Sequence, residues 1–323
     1  MDEYSLTLIE LEERFSTEEA CREYLFRLRW PEGFVCPRCA GPKAWPSQRG
    51  LWLCADCSYQ ASVTAGTIFQ DTRTPLTLWF RAIWWVTCQK YGANALGIQR
   101  ILGLGSYRTA WTWLHKLRRA MIRPGRDRLN GEVEVDETFV GGREEGVAGR
   151  ETETKTLVAI AVEMRERGLG RVRMRSIPDG SANSLAAFIE ETIEPGSTIR
   201  TDGWKGYGGM DGYTHEPRPI KGSGLKAHEM MPGVHRVAAL LKRWLLGTYQ
   251  GAVSSAHLDY YLDEFTFRFN RRASRHRGKL FHRLLEQAVA VEPVTYEAMV
   301  KGIRGKPRAK RRKRRSHARL AAT

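Results

Sequence analysis

Two carboxylates stand at the ends of short strand-like alternations. Asp136 lies in Glu132-Val133-Glu134-Val135-Asp136-Glu137-Thr138-Phe139-Val140-Gly141-Gly142, and Asp202 closes Gly196-Ser197-Thr198-Ile199-Arg200-Thr201-Asp202-Gly203. Carboxylates fixed on strands are rigid, hard oxygen donors that suit Mg²⁺. Two such ions about 4 Å apart can clamp the attacking and leaving oxygens of an in-line phosphoryl displacement. A basic helix follows around Lys242, Arg243 and later Arg268, whose cations can meet phosphates as point or forked charges. Each carboxylate also has a plainer reading. Glu132, Glu134 and Glu137 surround Asp136, as in a charged surface strand, and Thr201-Asp202-Gly203-Trp204 also reads as a turn.

A second constellation is built from sulfur. Cys36-Pro37-Arg38-Cys39 and Cys54-Ala55-Asp56-Cys57 are separated by fourteen residues. Two Cys-x-x-Cys turns on a short hairpin supply the four thiolates of a closed tetrahedral zinc site. Trp45, Trp52 and Tyr59 are candidates to cover a core too small to hold itself together, and Arg38, Lys43 and Arg49 are cations such a module can present to DNA or a partner. A closed site has no open position, so its expected role is structural.

Between these groups the patterning changes. Residues 1–33 read as an N-terminal helical segment, with a capping box from Ser16 to Glu19. Residues 34–70 are the cysteine module. Residues 71–124 read as three helices, and Asn94–Leu102, the glycines at 103 and 105, and Ser106–Met121 give a helix-turn-helix pattern. Tyr107, Arg108, Thr112, Lys116, Arg118 and Arg119 are its candidate DNA contacts; an ordinary helical hairpin with a solvated basic face is the plain alternative. Pro124-Gly125-Arg126-Asp127 reads as a linker. Over 130–290, strands are expected at 132–140, 156–163, 170–177 and 197–202, helices at 182–193, 234–246 and 255–270, and a glycine-rich loop at 203–212. That alternation indicates a mixed α/β layer fold.

Charge narrows the partners. The chain carries +16, and ten of its Lys and Arg lie between Arg304 and Arg319 without a carboxylate. The remainder keeps about +6. Residues 300–323 are therefore expected to be a disordered basic tail that binds polyanions by counterion release. With no run of about eighteen apolar residues and no signal-peptide pattern, a cytoplasmic protein is expected.

From Phe34 to about Arg272 the chain resembles a bacterial insertion-sequence transposase, of the ISXO-like group with a zinc ribbon ahead of a DDE catalytic domain. The resemblance is carried by Cys36-Pro37-Arg38-Cys39, by Ser62 to Phe69, by Thr109-Ala110-Trp111 and Leu114 to Arg118, and by Val135-Asp136-Glu137-Thr138-Phe139-Val140-Gly141-Gly142. Thr201-Asp202-Gly203-Trp204, Leu241-Lys242-Arg243 and Tyr261 to Arg272 complete it. It implies an RNase H-like catalytic domain with Asp136 and Asp202 as the first and second metal ligands. It also implies double-stranded DNA as partner, both terminal inverted repeats and target, and a homodimer or higher oligomer on that DNA. At the third ligand position, seven residues before Lys242, the family pattern expects an acid or Asn, and here stands His235. Residues seven apart on a helix share a face, so His235 and Lys242 can both look at the site. An imidazole favours Mn²⁺ or Zn²⁺ over Mg²⁺ more than a carboxylate does. Glu264 is the fallback third carboxylate, with an ion pair to Arg268 or Arg271 as its other role, and Glu229 a weaker candidate. The alternative function is a catalytically weakened DNA-binding protein derived from such an enzyme.

Overall fold

The first helices are set by their caps. In the computed structural model, which describes residues 4–5, 7–123, 125–142, 155–219, 223–251 and 253–301, Thr7 caps α1 (Leu8–Arg14) and Thr17 caps α2 (Glu18–Arg29). Thr17, not Ser16, holds the extended N-cap backbone and accepts from Ala20 N at 3.2 Å, so the box expected one residue earlier does not form. The basic tail from residue 302 onward lies outside the described residues.

Three short antiparallel strands follow: β1 (Ala44–Pro46), β2 (Trp52–Cys54) and β3 (Gln60–Ala61), in that order in the sheet. Their core is small, and α2 closes it. Trp52 stacks on Phe26 at 4.6 Å between ring centroids, while Trp30 and Phe34 pack beside them. Tyr59 joins this cluster, but Trp45 points outward and is 51% exposed, so it covers nothing.

The helical segment continues with α3 (Leu76–Cys88), α4 (Ala95–Leu102) and α5 (Tyr107–Ala120). Asn94 and Ser106 cap the last two. Gly103 ends α4 at φ 63°, the left-handed conformation that reverses the chain without a Cβ penalty. Trp79 of α3 stacks on Trp113 of α5 at 3.8 Å. These helices share one core with α1 and α2.

Beyond residue 130 come β4 (Glu132–Val140), β5 (Thr156–Arg165), β6 (Gly168–Ile177), α6 (Ala182–Thr192), β7 (Thr198–Thr201) and β8 (Thr214–Pro217). They form one sheet in the order β6-β5-β4-β7-β8. The β4-β5-β6 meander is antiparallel, while β7 runs parallel to β4 and β8 parallel to β7. The sheet therefore matches the expected mixed α/β layering, with β8 added just beyond the glycine-rich loop expected at 203–212, where no element was anticipated. Alternation sorts the two faces. Val133, Val135, Ala159 and Ala161 pack against α6, whereas Val158, Ile160, Val162, Val172 and Met174 meet the later helices.

Those helices are α7 (Ala227–Met230), α8 (Pro232–Tyr249), α9 (Leu258–Asn270), α10 (Arg277–Ala290) and α11 (Tyr296–Val300). α8 and α9 cover the second face of the sheet. α10 instead joins the first core: Phe281, Leu284, Leu285 and Ala288 pack among the residues of α2 and α3. The C-terminal chain thus returns to the N-terminal helices and ties the two halves together. Among the described residues, no helix is long and apolar enough to cross a membrane.

Candidate active site

β4 is the central strand, and its even-numbered residues face α8. Asp136 is opposite Ile160, which packs on that side. The parallel register pairs Glu132 with Thr198, Val133 with Ile199 and Glu134 with Arg200. Continued by two residues, this register sets Asp202 level with Asp136 on the same face. The electrostatics agree: burial first, then the charges of Glu137 and Asp202, push the Asp136 carboxyl up to about 7. Asp202 Oδ1 accepts from Trp204 N at 3.0 Å, so its turn-forming role and its place at the sheet end coexist.

A neighbouring carboxylate brings α8 to this point. Glu134, two residues before Asp136, is 2% exposed and accepts from Val234 N at 3.0 Å at the start of α8. Gly233 makes the approach possible, since a Cβ there would come within 2.8 Å of Glu134 Oε2 and 2.7 Å of Met164 Sδ. Pro232 opens the helix, where its missing N–H costs nothing. His235 follows in the first turn, with Nε2 3.8 Å from Asp136 Oδ2. That is too long for a hydrogen bond. The nitrogen is buried and, among the described residues, has no hydrogen-bond partner. Burial, then His228, holds the imidazole below its ordinary pKa although Asp202 opposes the shift, so it is neutral at pH 7. The charge of Lys242, two turns along α8, adds to the depression.

A neutral imidazole facing a carboxylate across an unbridged gap is a donor set that fits a divalent cation. Two ligands of one ion at their usual bond lengths lie no more than about 4 Å apart. Asp136, Asp202 and His235 are the residues that would hold it. The Asp136–His235 gap accommodates an ion, while the full triad is more open than the thiol group described below, the only such cluster of three or more ligands found among the described residues.

The fallback carboxylate is committed elsewhere. Glu264 is 1% exposed and accepts from Arg118 Nε at 2.8 Å, from Arg268 Nε at 2.9 Å and from Tyr249 Oη at 3.2 Å. Its partners are Arg268 and Arg118, not Arg271. Glu229 closes a capping box at α7, accepting from Lys226 N. Arg118 corrects the DNA-contact set: at 2% exposure, with its guanidinium bound to Glu264 and Tyr249, it cannot reach a phosphate. Arg119 is buried too, at 7%. Both fall on the side of α5 that also buries Leu114 and Leu117, which are core residues. Tyr107 and Arg108 are exposed at the start of α5, where Arg108 stacks on Tyr296 at 3.7 Å. Lys116 is half-buried and its ammonium is held below its ordinary pKa by burial. Lys242 and Arg243 are exposed.

Sequence reasoning missed Glu134, which read as one more acid in a charged strand. It also missed Tyr207, which donates to Glu137 Oε2 at 2.6 Å on the opposite face of the sheet. No local signal marks either contact, because each partner lies on another element.

The four cysteines converge as their spacing anticipates. Their sulfurs lie within 4.8 Å of one another, with Cys36–Cys57 at 3.7 Å and Cys39–Cys54 at 3.5 Å. Tetrahedral zinc thiolates at the usual bond length sit about 3.8 Å apart, so the group fits Zn²⁺. Arg38, Lys43 and Arg49 are exposed around it. Cys54→Ser removes the most buried of the four ligands. The expected outcome, by metal analysis of purified protein, is a fall from about one zinc per chain to almost none, with quenching changes at Trp52. Retention of stoichiometric zinc would contradict the site.

A family model described as an ISXO2-like transposase domain matches residues 128–270, and one described as a transposase zinc-ribbon domain matches residues 16–60. The second match begins at α2, consistent with that helix closing the ribbon's core. The chain is also similar to an uncharacterized protein in transposable element ISH50 of Halobacterium salinarum, 26% identical over 291 residues that cover 82% of this chain and 94% of that protein. With the four-cysteine ribbon folded against α2 and the mixed sheet following it, the chain carries a transposase zinc-ribbon domain ahead of an ISXO2-like transposase domain.

Proposed function

We propose that this protein is an active DNA transposase that binds the terminal inverted repeats of its element, cuts a strand there and joins the freed 3′-hydroxyl to target DNA. The sheet order, an antiparallel meander flanked by two parallel strands, supports an RNase H-like catalytic domain. The observation that carries the catalytic reading is the unpartnered Nε2 of His235 facing Asp136 Oδ2; the β4–β7 register, continued two residues beyond Glu134–Arg200, supports Asp202 as the neighbouring carboxylate. Asp136, Asp202 and His235 hold the catalytic ions, Mg²⁺ or Mn²⁺, with the imidazole favouring Mn²⁺. Such ions, when bound, neutralise charge on the transferring phosphate and ease deprotonation of the attacking water. Glu134 holds α8 so that His235 stays aimed at the sheet. Lys242 and Arg243 contact the DNA near the scissile phosphate. The ribbon, structural Zn²⁺ at its centre, and the α4–turn–α5 unit contact the repeats, with Tyr107, Arg108 and Lys116 as its exposed or half-exposed polar groups. The protein acts on DNA in the cytoplasm, as an oligomer that holds two ends.

The test is a strand-cleavage and strand-transfer assay on DNA bearing paired inverted repeats, in Mg²⁺ and in Mn²⁺. Asp202→Ala and His235→Ala are expected to keep repeat binding while losing cleavage by at least about 10²-fold, since each removes a ligand of the ions whose charge stabilisation is worth several kcal/mol. Full cleavage by Asp202→Ala would end the mechanism. Repeat binding by the unaltered protein without cleavage in either metal would instead support a weakened, DNA-binding descendant, the reading favoured by His235 standing where an acid is expected.

A further inference from the structure

Away from the carboxylates, a cavity of about 460 Å³ opens where the chain after α5 crosses the edge strand β6 and meets α9 and α10. Its wall carries seven Arg or Lys side chains and one carboxylate, Asp127. Arg173 is 4% exposed, and its guanidinium donates to two backbone carbonyls, Val172 O at 2.9 Å and Asp127 O at 2.5 Å. Glu163, whose charge reaches Arg173, is engaged by Arg171 through Nε at 2.9 Å and Nη2 at 2.5 Å. Arg271 lies 4.1 Å over the ring of Phe267 and donates to Phe267 O. Among the described residues, neither Arg173 nor Arg271 has a carboxylate partner.

A buried guanidinium with no carboxylate paired directly to it is costly. Both guanidiniums are held below their ordinary pKa. Burial, then repulsion from Arg126 and Arg171, pushes Arg173 down to about 9. Burial, then Arg283 and Arg123, pushes Arg271 down to about 10. Carbonyl acceptors satisfy N–H groups, and Glu163 and Asp127 offset the charge of Arg173 only in part, so an anion would complete the wall. The cations also continue outward: Arg123 and Arg283 are 53% and 51% exposed, and Lys279 is exposed. An array running from a buried floor to an open rim matches a succession of phosphates better than a single small anion.

We propose that this cleft is a phosphate-binding site that seats the backbone of duplex DNA at the seam between the N-terminal helices and the edge of the large sheet. The choice of DNA as the polyanion rests on the transposase reading above. Backbone contacts of this kind fix register without reading sequence. The cleft would hold the duplex in place relative to both the ribbon-bearing half and the carboxylate-bearing half.

The experiment uses the full chain and a duplex of random sequence, without divalent metal, and follows affinity across a salt series. Abolishing one cation–phosphate pairing lowers the slope of log K against log salt by about 0.9. Arg271→Gln with Arg283→Gln is expected to lower it by about 2, Arg271→Lys to leave it near the original value, and Lys90→Gln, away from the cleft, to leave it unchanged. An unchanged slope in the double variant would overturn the proposal. A melting-temperature rise with pyrophosphate that disappears in Arg173→Gln, while the DNA slope holds, would overturn it in favour of a small phosphorylated ligand. The readout needs no cleavage, so failure of the catalytic reading and failure of the cleft are separate results.

Discussion

Asp136→Asn is expected to abolish cleavage and, at the same time, to make the metal-free protein more stable above neutral pH. The first effect follows from removing a charged ligand from a site whose task is to neutralise phosphate charge. Losing several kcal/mol of that stabilisation slows the reaction by about 10³-fold or more. The second effect has the opposite sign. Burial, Glu137 and Asp202 all disfavour ionised Asp136, raising its pKa from an ordinary 3.8 to about 7. The fold therefore accepts the protonated carboxyl and resists the carboxylate. Below about pH 4 the group is neutral folded or unfolded and costs nothing. Between pH 4 and 7 stability is progressively lost, because the unfolded chain releases the proton more readily. Above pH 7 the full penalty remains. A shift of this size corresponds to about 4 kcal/mol at most, and the side chain is 20% exposed, so about 2–3 kcal/mol is expected.

Asn is neutral, has nearly the same shape, and keeps an Oδ1 for the Glu137 N–H that Asp136 accepts at 2.8 Å. Denaturant unfolding without metal should therefore show Asp136→Asn about 2–3 kcal/mol more stable than the unaltered protein at pH 8 and indistinguishable from it near pH 4. Mn²⁺ should close the gap by stabilising only the unaltered protein, by an amount that grows with the logarithm of its concentration. Equal stability of the two proteins at pH 8 would show that Asp136 is not held under electrostatic stress. A site assembled for cations and destabilised without them is the general pattern in which function opposes stability.

How much of this was legible in the sequence depended on whether a signal was local. The strand from Glu132 to Val140 could be read because Val133 and Val135 alternate with acids, and such alternation is a property of neighbouring residues. The two Cys-x-x-Cys turns were legible for the same reason: each brings its own pair together, and only the hairpin between them had to be inferred. β8 was not legible. Thr214-His215-Glu216-Pro217 has no apolar alternation and ends in proline, and its strand conformation comes from parallel pairing with β7. α10 has a helical pattern, but nothing in it says that Phe281 and Leu284 pack among α2 and α3, far earlier in the chain. Arg118 and Arg119 misled for a physical reason. In a strongly basic chain, adjacent arginines on a helix read as a solvated face, and the carboxylate that buries Arg118 lies 146 residues away. The position of His235 was inferred from its spacing to Lys242. Its aim at Asp136 depends on Glu134 anchoring the start of α8, a contact across 100 residues.

That distant carboxylate is the object of the second large effect. Glu264→Gln is expected to cost about 3–5 kcal/mol, because it leaves Arg118, buried at 2%, facing a neutral amide. Glu264 is shared. Arg118 reaches it from α5, Arg268 from one turn along α9, and Tyr249 from α8. Arg268 in turn donates to Val86 O and Gln89 O at the end of α3. One carboxylate thus joins the N-terminal helices to the helices that cover the large sheet. The sharing makes the effect asymmetric. Arg118→Met leaves Glu264 still paired with Arg268, so it should cost distinctly less than Glu264→Gln, which strips two guanidiniums at once. Adding Arg118→Met to Glu264→Gln should then recover part of the loss, since an apolar side chain tolerates the site better than an unpaired charge. The pH dependence has a definite sign. Burial opposes ionisation of Glu264, but Arg268 and Arg118 outweigh it and hold the carboxyl below its usual range. Its contribution is present above about pH 4.5 and is lost as pH falls through the lower folded value, so the gap between the unaltered protein and Glu264→Gln should narrow in acid. Denaturant unfolding of the three variants at pH 7 and near pH 3.5 measures both claims. If Arg118→Met proved as damaging as Glu264→Gln, the junction would be held by packing around Arg118 and not by the shared charge.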